Sequence, residues 1–196
     1  NGGKLYKNLR HQLKHRERPV GENRIPIKNR VSIEERPSTV DENKTFGHWE
    51  MDTIVGPNNK GAILTITERT TNFFMMKKLP SGKNSKQLAD AVIKLLLPYK
   101  KYVNTITTDN GTEFAEHEYI SKKLDAKIYF THPYSSWEKG LIEYTNKLIR
   151  QYIKKKTDIN NYDNEYITNV QRKINRRPRK KLKYRSPTEI FYKLAS

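Results

Sequence analysis

The chain has 196 residues, a formal net charge of +18, and 34% hydrophobic against 31% charged residues. This length suits one domain with tails. Cysteine is absent, which excludes disulfides and thiolate zinc sites. No apolar run approaches the ~20 residues that a membrane span requires, and nothing resembles a signal peptide. We therefore expect a cytoplasmic protein.

The positive charge is concentrated at two ends of a neutral middle. Residues 1–30 carry 9 basic and 2 acidic side chains, residues 31–146 carry 15 of each, and residues 147–185 carry 14 and 3. This distribution favours a protein that grips a polyanion such as DNA. Solubility or solvated basic tails explain the same composition equally well. Membrane binding is disfavoured because no basic segment carries a strong apolar face.

Residues 1–45 are predicted to form a basic N-terminal arm or linker. They are polar, and Pro19, Pro26 and Pro37 interrupt them. Residues 46–196 are predicted to form the folded core, with a basic C-terminal helical segment. Because the chain begins at Asn1 rather than Met, we expect a fragment of a longer protein.

The folded core alternates between β-type and helical patterns in chain order. Two patterns mark helix starts: a capping box from Ser135 to Glu138, and Ser186 followed by Pro187 and Glu189. Together the elements predict an α/β fold with a five-stranded mixed sheet flanked by helices. Strands are predicted over 48–55, 61–67, 72–79, 103–108 and 127–131. Helices are predicted over 85–97, 113–124 and 162–174, and from Ser136 and Ser186.

Three acidic residues are candidates for a catalytic site. Asp52 lies among apolar neighbours in a strand, where an acid is costly unless it faces a partner or a site, and Glu50 on the same face is the rival candidate. Asp109 closes a strand before an Asn-Gly turn, so stabilising that turn is an equally good role for it. Glu143 lies on the polar face of a helix, where pairing with Lys147 is the commoner use of an acid.

Phosphodiester chemistry gives these three acids a common purpose. Two magnesium ions held ~3.5–4 Å apart can neutralise a phosphate and activate a nucleophile, and such ions prefer carboxylate oxygens. Between Asp52 and Asp109 lie 56 residues, and between Asp109 and Glu143 lie 33. This order and spacing resemble the D-D-E signature of transposases and retroviral-type integrases.

Local segments make the resemblance more specific, because together they are similar to the transposases of insertion sequence thirty and its relatives, over about residues 46–192. The resemblance implies a ribonuclease H-like fold in which Asp52, Asp109 and Glu143 are the catalytic and metal-binding triad. It also implies two Mg²⁺ ions per site, replaceable by Mn²⁺, and DNA transposition by nicking of transposon ends followed by 3′-hydroxyl strand transfer. The segments are Trp49–Gly56, Thr107–Phe114, Pro133–Gly140, Leu148–Tyr152 and Asn175–Lys180.

The chain departs from that family at two places. The family usually shows Glu-Asn-x-Asn around the third acid, where this chain has Glu143-Tyr144-Thr145-Asn146. Its Pro-Lys-Gly corresponds here to Lys154-Lys155-Lys156. Family members also carry helix-turn-helix domains before this core, so we expect recognition of transposon ends to reside in a missing N-terminal region.

Basic residues near the third acid are candidates for binding DNA. Lys147 and Arg150 share the face of Glu143, where cations contribute sequence-independent affinity for phosphates; pairing with Glu143 is the alternative. Trp137 is expected to pack on the core rather than against DNA. The remaining DNA-binding candidates are Lys154, Arg176, Arg177, Arg179 and Lys180.

Transposon ends and target DNA are the expected partners, with a homodimer or higher oligomer assembled on DNA in association with the nucleoid. Two alternatives share these features. One is a ribonuclease H-like nuclease or resolvase that cuts without joining. The other is a non-catalytic DNA-binding relic of a transposase.

Overall fold

The computed structural model describes residues 27–42, 44–133 and 135–196. Most of the predicted basic arm, residues 1–26, lies outside the described residues. Among the residues that are described, no helix is both long enough and apolar enough to cross a membrane.

A six-stranded mixed sheet forms the centre of the fold, in the order β1-β6-β5-β2-β3-β4. β2, β3 and β4 form an antiparallel meander, whereas β2, β5, β6 and β1 pair in parallel. The predicted mixed sheet is confirmed, but the number of strands was one too low, because two residues are too few to show an alternating pattern. The strands are β1 Val31–Ser32, β2 His48–Val55, β3 Ala62–Glu68, β4 Phe74–Leu79, β5 Thr105–Thr108 and β6 Lys127–Phe130.

In the described part of the chain, five α-helices flank the sheet, and each lies where a helix was predicted. Side-chain caps fix several starts: Asn84 accepts from the Gln87 amide, and Asp163 accepts from the Tyr166 amide. The capping box between Ser186 and Glu189 is confirmed. The helices are α1 Ser85–Leu96, α2 His117–Leu124, α3 Gly140–Ile149, α4 Asn164–Asn175 and α5 Pro187–Leu194.

The two faces of the sheet are covered by different helices. Trp49 and Met51 of β2 belong to the apolar core that includes residues of α1, α2 and α5. Ile54, also on β2, packs in a second core with residues of α3 and α4. Because successive strand residues point to opposite faces, Glu50 and Asp52 share the α3 side of the sheet with Ile54.

Helix α4 protects the open edge of β4. The Asn175 side chain accepts from the Phe74 amide at 3.0 Å and donates to the Phe74 carbonyl at 2.7 Å. Gln171 accepts from the Met76 amide at 2.7 Å. These side chains replace a missing neighbouring strand, and a covered edge does not pair with other chains.

The segment before α3 differs from its prediction in two respects. A 3-10 turn, Ser136–Lys139, precedes α3, and the Ser135 side chain makes no capping hydrogen bond. The predicted capping box is therefore wrong, because Glu138 instead accepts from the backbone amide of His132 at 2.8 Å and contacts its Nδ1 at 2.7 Å. The packing predicted for Trp137 is also wrong, since 74% of this residue is exposed.

Candidate active site

The parallel pairing of β2 and β5 brings two of the three predicted acids together. Glu50 of β2 is in register with Thr107 of β5. Asp52 and Asp109 each lie two residues beyond that pair, and residues two apart point to the same face of a sheet. The strand register therefore places both carboxyl groups side by side on the α3 face.

The ammonium group of Lys139 lies between the two aspartates. Its Nζ is 3.5 Å from Asp52 Oδ1 and 3.3 Å from Asp109 Oδ2, and only 3% of the residue is exposed. Burial raises the pKa of the Asp52 carboxyl above its ordinary value; Lys139 opposes this rise, and Asp109 reinforces it. The pair therefore forms a partly desolvated, negatively charged centre that attracts a cation.

In each aspartate, the carboxylate oxygen that does not face Lys139 accepts a hydrogen bond that orients the side chain. Asp52 Oδ2 accepts from the Asn146 amide group at 2.8 Å, and Asp109 Oδ1 accepts from the Gly111 backbone amide at 2.9 Å. Asp109 thus stabilises the Asn-Gly turn, which was the alternative role, while its second oxygen faces Lys139. One role does not preclude the other, because a carboxylate has two oxygens.

Glu143 lines the same groove as Asp52 but stands apart from the aspartate pair. Within the described ranges, no three His, Cys, Asp or Glu side chains come close enough together to hold a metal ion. Nor does Glu143 form an ion pair there with Lys147 or another described residue. The groove has a volume of about 390 Å³ and is lined by Asp52, Thr53, Ile54, Val55, Glu143, Asn146, Lys147, Arg150 and Lys155.

The position of Glu143 relative to Asp52 follows from helix geometry. Residues three apart on a helix are neighbours on one face, and Asn146, three residues after Glu143, already bonds Asp52. Glu143 therefore lies on the same face of α3 as Asn146, the residue that contacts Asp52.

Glu50, the rival acid in β2, has a structural role. It is 1% exposed, its Oε1 accepts from Arg69 at 2.5 Å, and its Oε2 accepts from the Ile142 backbone amide at 2.9 Å. Burial raises the pKa of Glu50, and the neighbouring Arg69 guanidinium is the main opposing influence. Because Ile142 immediately precedes Glu143, the Glu50–Arg69 pair fixes the start of the helix that carries the third acid.

A second buried acid, Glu113, joins the two aspartate-bearing segments. Its Oε1 accepts from the Thr53 hydroxyl at 2.7 Å and lies 2.9 Å from Lys83 Nζ. Thr53 follows Asp52, and Glu113 follows Asp109 by four residues. Glu113 therefore ties the end of β2 to the loop after β5.

The predicted DNA-binding residues fall into two groups. Lys147 and Arg150 line the groove, and Lys154, Arg176 and Lys180 are exposed. By contrast, Arg177 donates to the Tyr152 hydroxyl at 2.5 Å, and Arg179 donates to the carbonyls of Ile174 and Arg177. The hydrogen bonds of these two guanidinium groups stabilise the turn after α4.

Sequence reasoning did not single out Lys139, Arg69 or Glu113. Lys139 lies in the Pro133–Gly140 segment that carries the resemblance, four residues before Glu143, but neither feature indicates that it is buried beside the aspartates. Arg69 had an indirect signal, because a buried acid such as Glu50 needs a cationic partner. Glu113 had no such signal. Its neighbour Phe114 does not by itself indicate that the acid is buried.

Part of the chain is similar to a known domain family. The Integrase core domain family matches residues 42–136. Asp52 and Asp109 lie inside the matched span, whereas Glu143 lies seven residues beyond its end.

Among the proteins to which this chain is similar are transposases of insertion sequences. The chain is 47% identical over 194 residues to the transposase for insertion sequence element IS4351 of Bacteroides fragilis, covering 97% of this chain and 59% of that protein. It is 36% identical over 184 residues to the transposase InsI for insertion sequence element IS30A of Escherichia coli, covering 93% of this chain and 47% of that protein. The chain thus spans about half the length of these relatives.

A solved structure confirms the fold. The catalytic core domain of BIV integrase matches 76% of this chain, and 96% of that domain, with a TM-score of 0.57 at 20% sequence identity. The chain therefore has the ribonuclease H-like fold that the resemblance implied, with one short strand more than predicted.

Proposed function

We propose that this chain is the catalytic part of a DNA transposase, with Asp52, Asp109 and Glu143 as its metal-binding acids. The observation that carries the proposal is the convergence of Asp52 and Asp109, from neighbouring parallel strands, on one cationic group. A site already built around a cation suits a divalent metal ion better than an uncharged ligand. The transposase relatives support the same reaction class.

The donor atoms suit Mg²⁺ or Mn²⁺. Both aspartates offer carboxylate oxygens, the ligands these hard cations prefer. Asn146 Oδ1 is buried without a hydrogen-bond partner in the described part of the protein, so a further oxygen is available beside Asp52. We propose that Glu143 completes the set from the groove wall. Two such ions, when bound, would neutralise charge on a phosphate and lower the pKa of a water molecule.

The chain's own residues would orient the substrate in this groove. Lys147 and Arg150, on the helix face of Glu143, would bind backbone phosphates next to the acids. Exposed Lys154, Arg176 and Lys180 would extend this contact along the DNA. Arg177 and Arg179 would contribute mainly by stabilising the turn after α4.

The proposed reaction exchanges ester bonds at phosphorus without a covalent protein intermediate. In nicking, a water oxygen bonds to phosphorus and the bond to the 3′ oxygen of the transposon end breaks, which frees a 3′-hydroxyl. In strand transfer, that hydroxyl oxygen bonds to a target phosphorus, and the target's own 3′ oxygen leaves. Asp52, Asp109 and Glu143 would hold the reacting groups, and no nucleophilic serine or tyrosine is needed.

A joining assay tests this proposal. The full 196-residue chain is incubated with Mn²⁺, a labelled pre-nicked transposon end and a target plasmid. We expect joined product from the native chain, a loss of at least ~100-fold for Asp52→Asn, and DNA binding largely retained by that variant. Asp90→Asn, an exposed acid on α1, is the matched control and should join normally.

Two outcomes would contradict the proposal. Cutting of DNA without joined product would identify a nuclease or resolvase. Equal activity of Asp52→Asn and the native chain, including no activity in either, would indicate a DNA-binding protein without this catalytic site.

A further inference from the structure

Lys139 is a buried cation inside the site proposed to bind metal. It ends the 3-10 turn that precedes α3, and 4% of its side chain is exposed. Besides the two aspartates, its Nζ contacts the Met51 carbonyl at 3.4 Å. Three oxygens, two of them charged, therefore surround one ammonium group.

None of these contacts is short. An ammonium that forms a charge-assisted hydrogen bond to a carboxylate lies ~2.7–2.9 Å from it. The distances here are 3.5 Å to Asp52 and 3.3 Å to Asp109. Lys139 therefore occupies the middle of an oxygen-lined position without a tight bond to one partner, and its flexible four-carbon stem can move the charge elsewhere.

The aspartates do not depend on Lys139 for their orientation. Asn146 holds the second oxygen of Asp52, and the Gly111 amide holds that of Asp109. If the ammonium left, the two oxygens that now face it would still point to the same place. The position would then be open to another cation.

We propose that Lys139 is an exchangeable internal cation, which neutralises the charge of the Asp52–Asp109 pair in the metal-free protein and leaves when a divalent ion binds. This inference rests on the proposed function. Two cations within ~4 Å of each other repel strongly in a partly desolvated site, so the ammonium and the ion exclude each other. Lys139 thereby stabilises the empty site and weakens metal binding.

Calorimetric titration of the full chain with Mn²⁺ tests the exchange. Lys139→Met removes the charge and retains most of the side-chain length. We expect Lys139→Met to bind Mn²⁺ on the order of tenfold more tightly than the native chain, because the competing charge is gone. We also expect a lower melting temperature without metal, and a larger rise when metal is added.

Three further variants make the titration interpretable. Lys139→Arg retains a cation and should bind Mn²⁺ no more tightly than the native chain. Lys94→Met removes an exposed lysine from α1, on the opposite side of the sheet, and should leave the affinity unchanged. Asp109→Asn should abolish binding, which shows that the ion is in this site.

A spectroscopic measurement on the native chain does not depend on how the variants fold. A buried, paired ammonium exchanges its protons slowly with water, so its ¹H–¹⁵N NMR signal is observable. Addition of Mg²⁺ should shift or remove the Lys139 signal, which is assigned by its absence from Lys139→Arg. An unchanged signal at saturating Mg²⁺ would overturn the exchange.

The results separate this inference from the function on which it rests. If Asp109→Asn abolishes Mn²⁺ binding but Lys139→Met binds as weakly as the native chain, the metal site stands and the exchange is refuted. If neither the native chain nor Lys139→Met binds Mn²⁺, the proposed metal site is refuted, and the exchange with it.

Discussion

Replacing Glu50 by alanine tests whether the buried Glu50–Arg69 pair fixes the start of α3. The change leaves the Arg69 guanidinium without its 2.5 Å partner and the Ile142 amide without its acceptor. Arg69 retains a weaker contact with Asp41 at 3.5 Å, whose side chain is 61% exposed. Losing one member of a buried ion pair costs about 3–5 kcal/mol, so the second partner places this case near the lower end, at about 3 kcal/mol.

Urea denaturation of the full chain measures this cost. Glu50→Gln keeps an acceptor for the Ile142 amide while removing the charge, and is expected to lose less, about 1–3 kcal/mol. Glu165→Ala, an exposed acid in the first turn of α4, is the control and should change stability by about 0.5 kcal/mol or less.

A double-mutant cycle distinguishes pairing from simple loss of packing. Glu50→Met and Arg69→Met are measured singly and together. If the two residues act as a pair, the double variant should be clearly more stable than the sum of the single losses predicts. A Glu50→Ala cost below about 1 kcal/mol, or additive losses in the cycle, would refute the reasoning.

Three further predictions concern the residues around the site. A Cβ on Gly111 would lie 2.5 Å from Glu113 Oε2, so Gly111→Ala should displace a carboxylate held by Thr53 and Lys83 and cost about 1–3 kcal/mol in thermal or urea unfolding. Gly140→Ala, which meets nothing within 4 Å, should be neutral or slightly stabilising, and equal effects of the two would count against this account. Hydrogen bonds to Glu138 and Glu34 raise the pKa of His132 above 6.5, so its stabilising contribution is present below that pH and is lost as the pH rises through the elevated pKa. NMR titration of His132 should show a lower pKa in Glu138→Gln, and an unchanged value would exclude this partner as the cause. The slope of the logarithm of DNA affinity against the logarithm of salt concentration should become shallower when Lys147→Ala is combined with Arg150→Ala. The expected change in this slope is about one for each lost phosphate contact. Arg179→Ala should lower stability with a smaller effect on that slope, because its guanidinium binds backbone carbonyls.

Local patterns were sufficient to predict most of the fold. The apolar alternation of β2 and the helical spacing in α1 are properties of neighbouring residues, so they are visible in the sequence. The two-residue strand β1 was missed because pairing with β6, not its own pattern, makes it a strand. The Ser135 capping box failed for a related reason, since Glu138 finds a better partner in His132.

The candidate site was predictable only in part. Asp52 and Asp109 could be proposed together from their order in the chain and the resemblance to the D-D-E signature, and the parallel register of β2 and β5 then places them side by side. Lys139 could not, because its contact with both aspartates depends on how the 3-10 turn enters the sheet face. The separation of Glu143 from the pair likewise depends on the position of α3, which Glu50 and Arg69 determine through tertiary contacts.

Anomalous diffraction from a crystal of this chain soaked in Mn²⁺ is the most direct test of the proposed metal site. We predict a manganese peak coordinated by Asp52 and Asp109, with the Glu143 side chain turned into the groove toward it and the Lys139 ammonium displaced. A peak elsewhere, or none at saturating Mn²⁺ while Lys139 stays between the aspartates, would contradict the account.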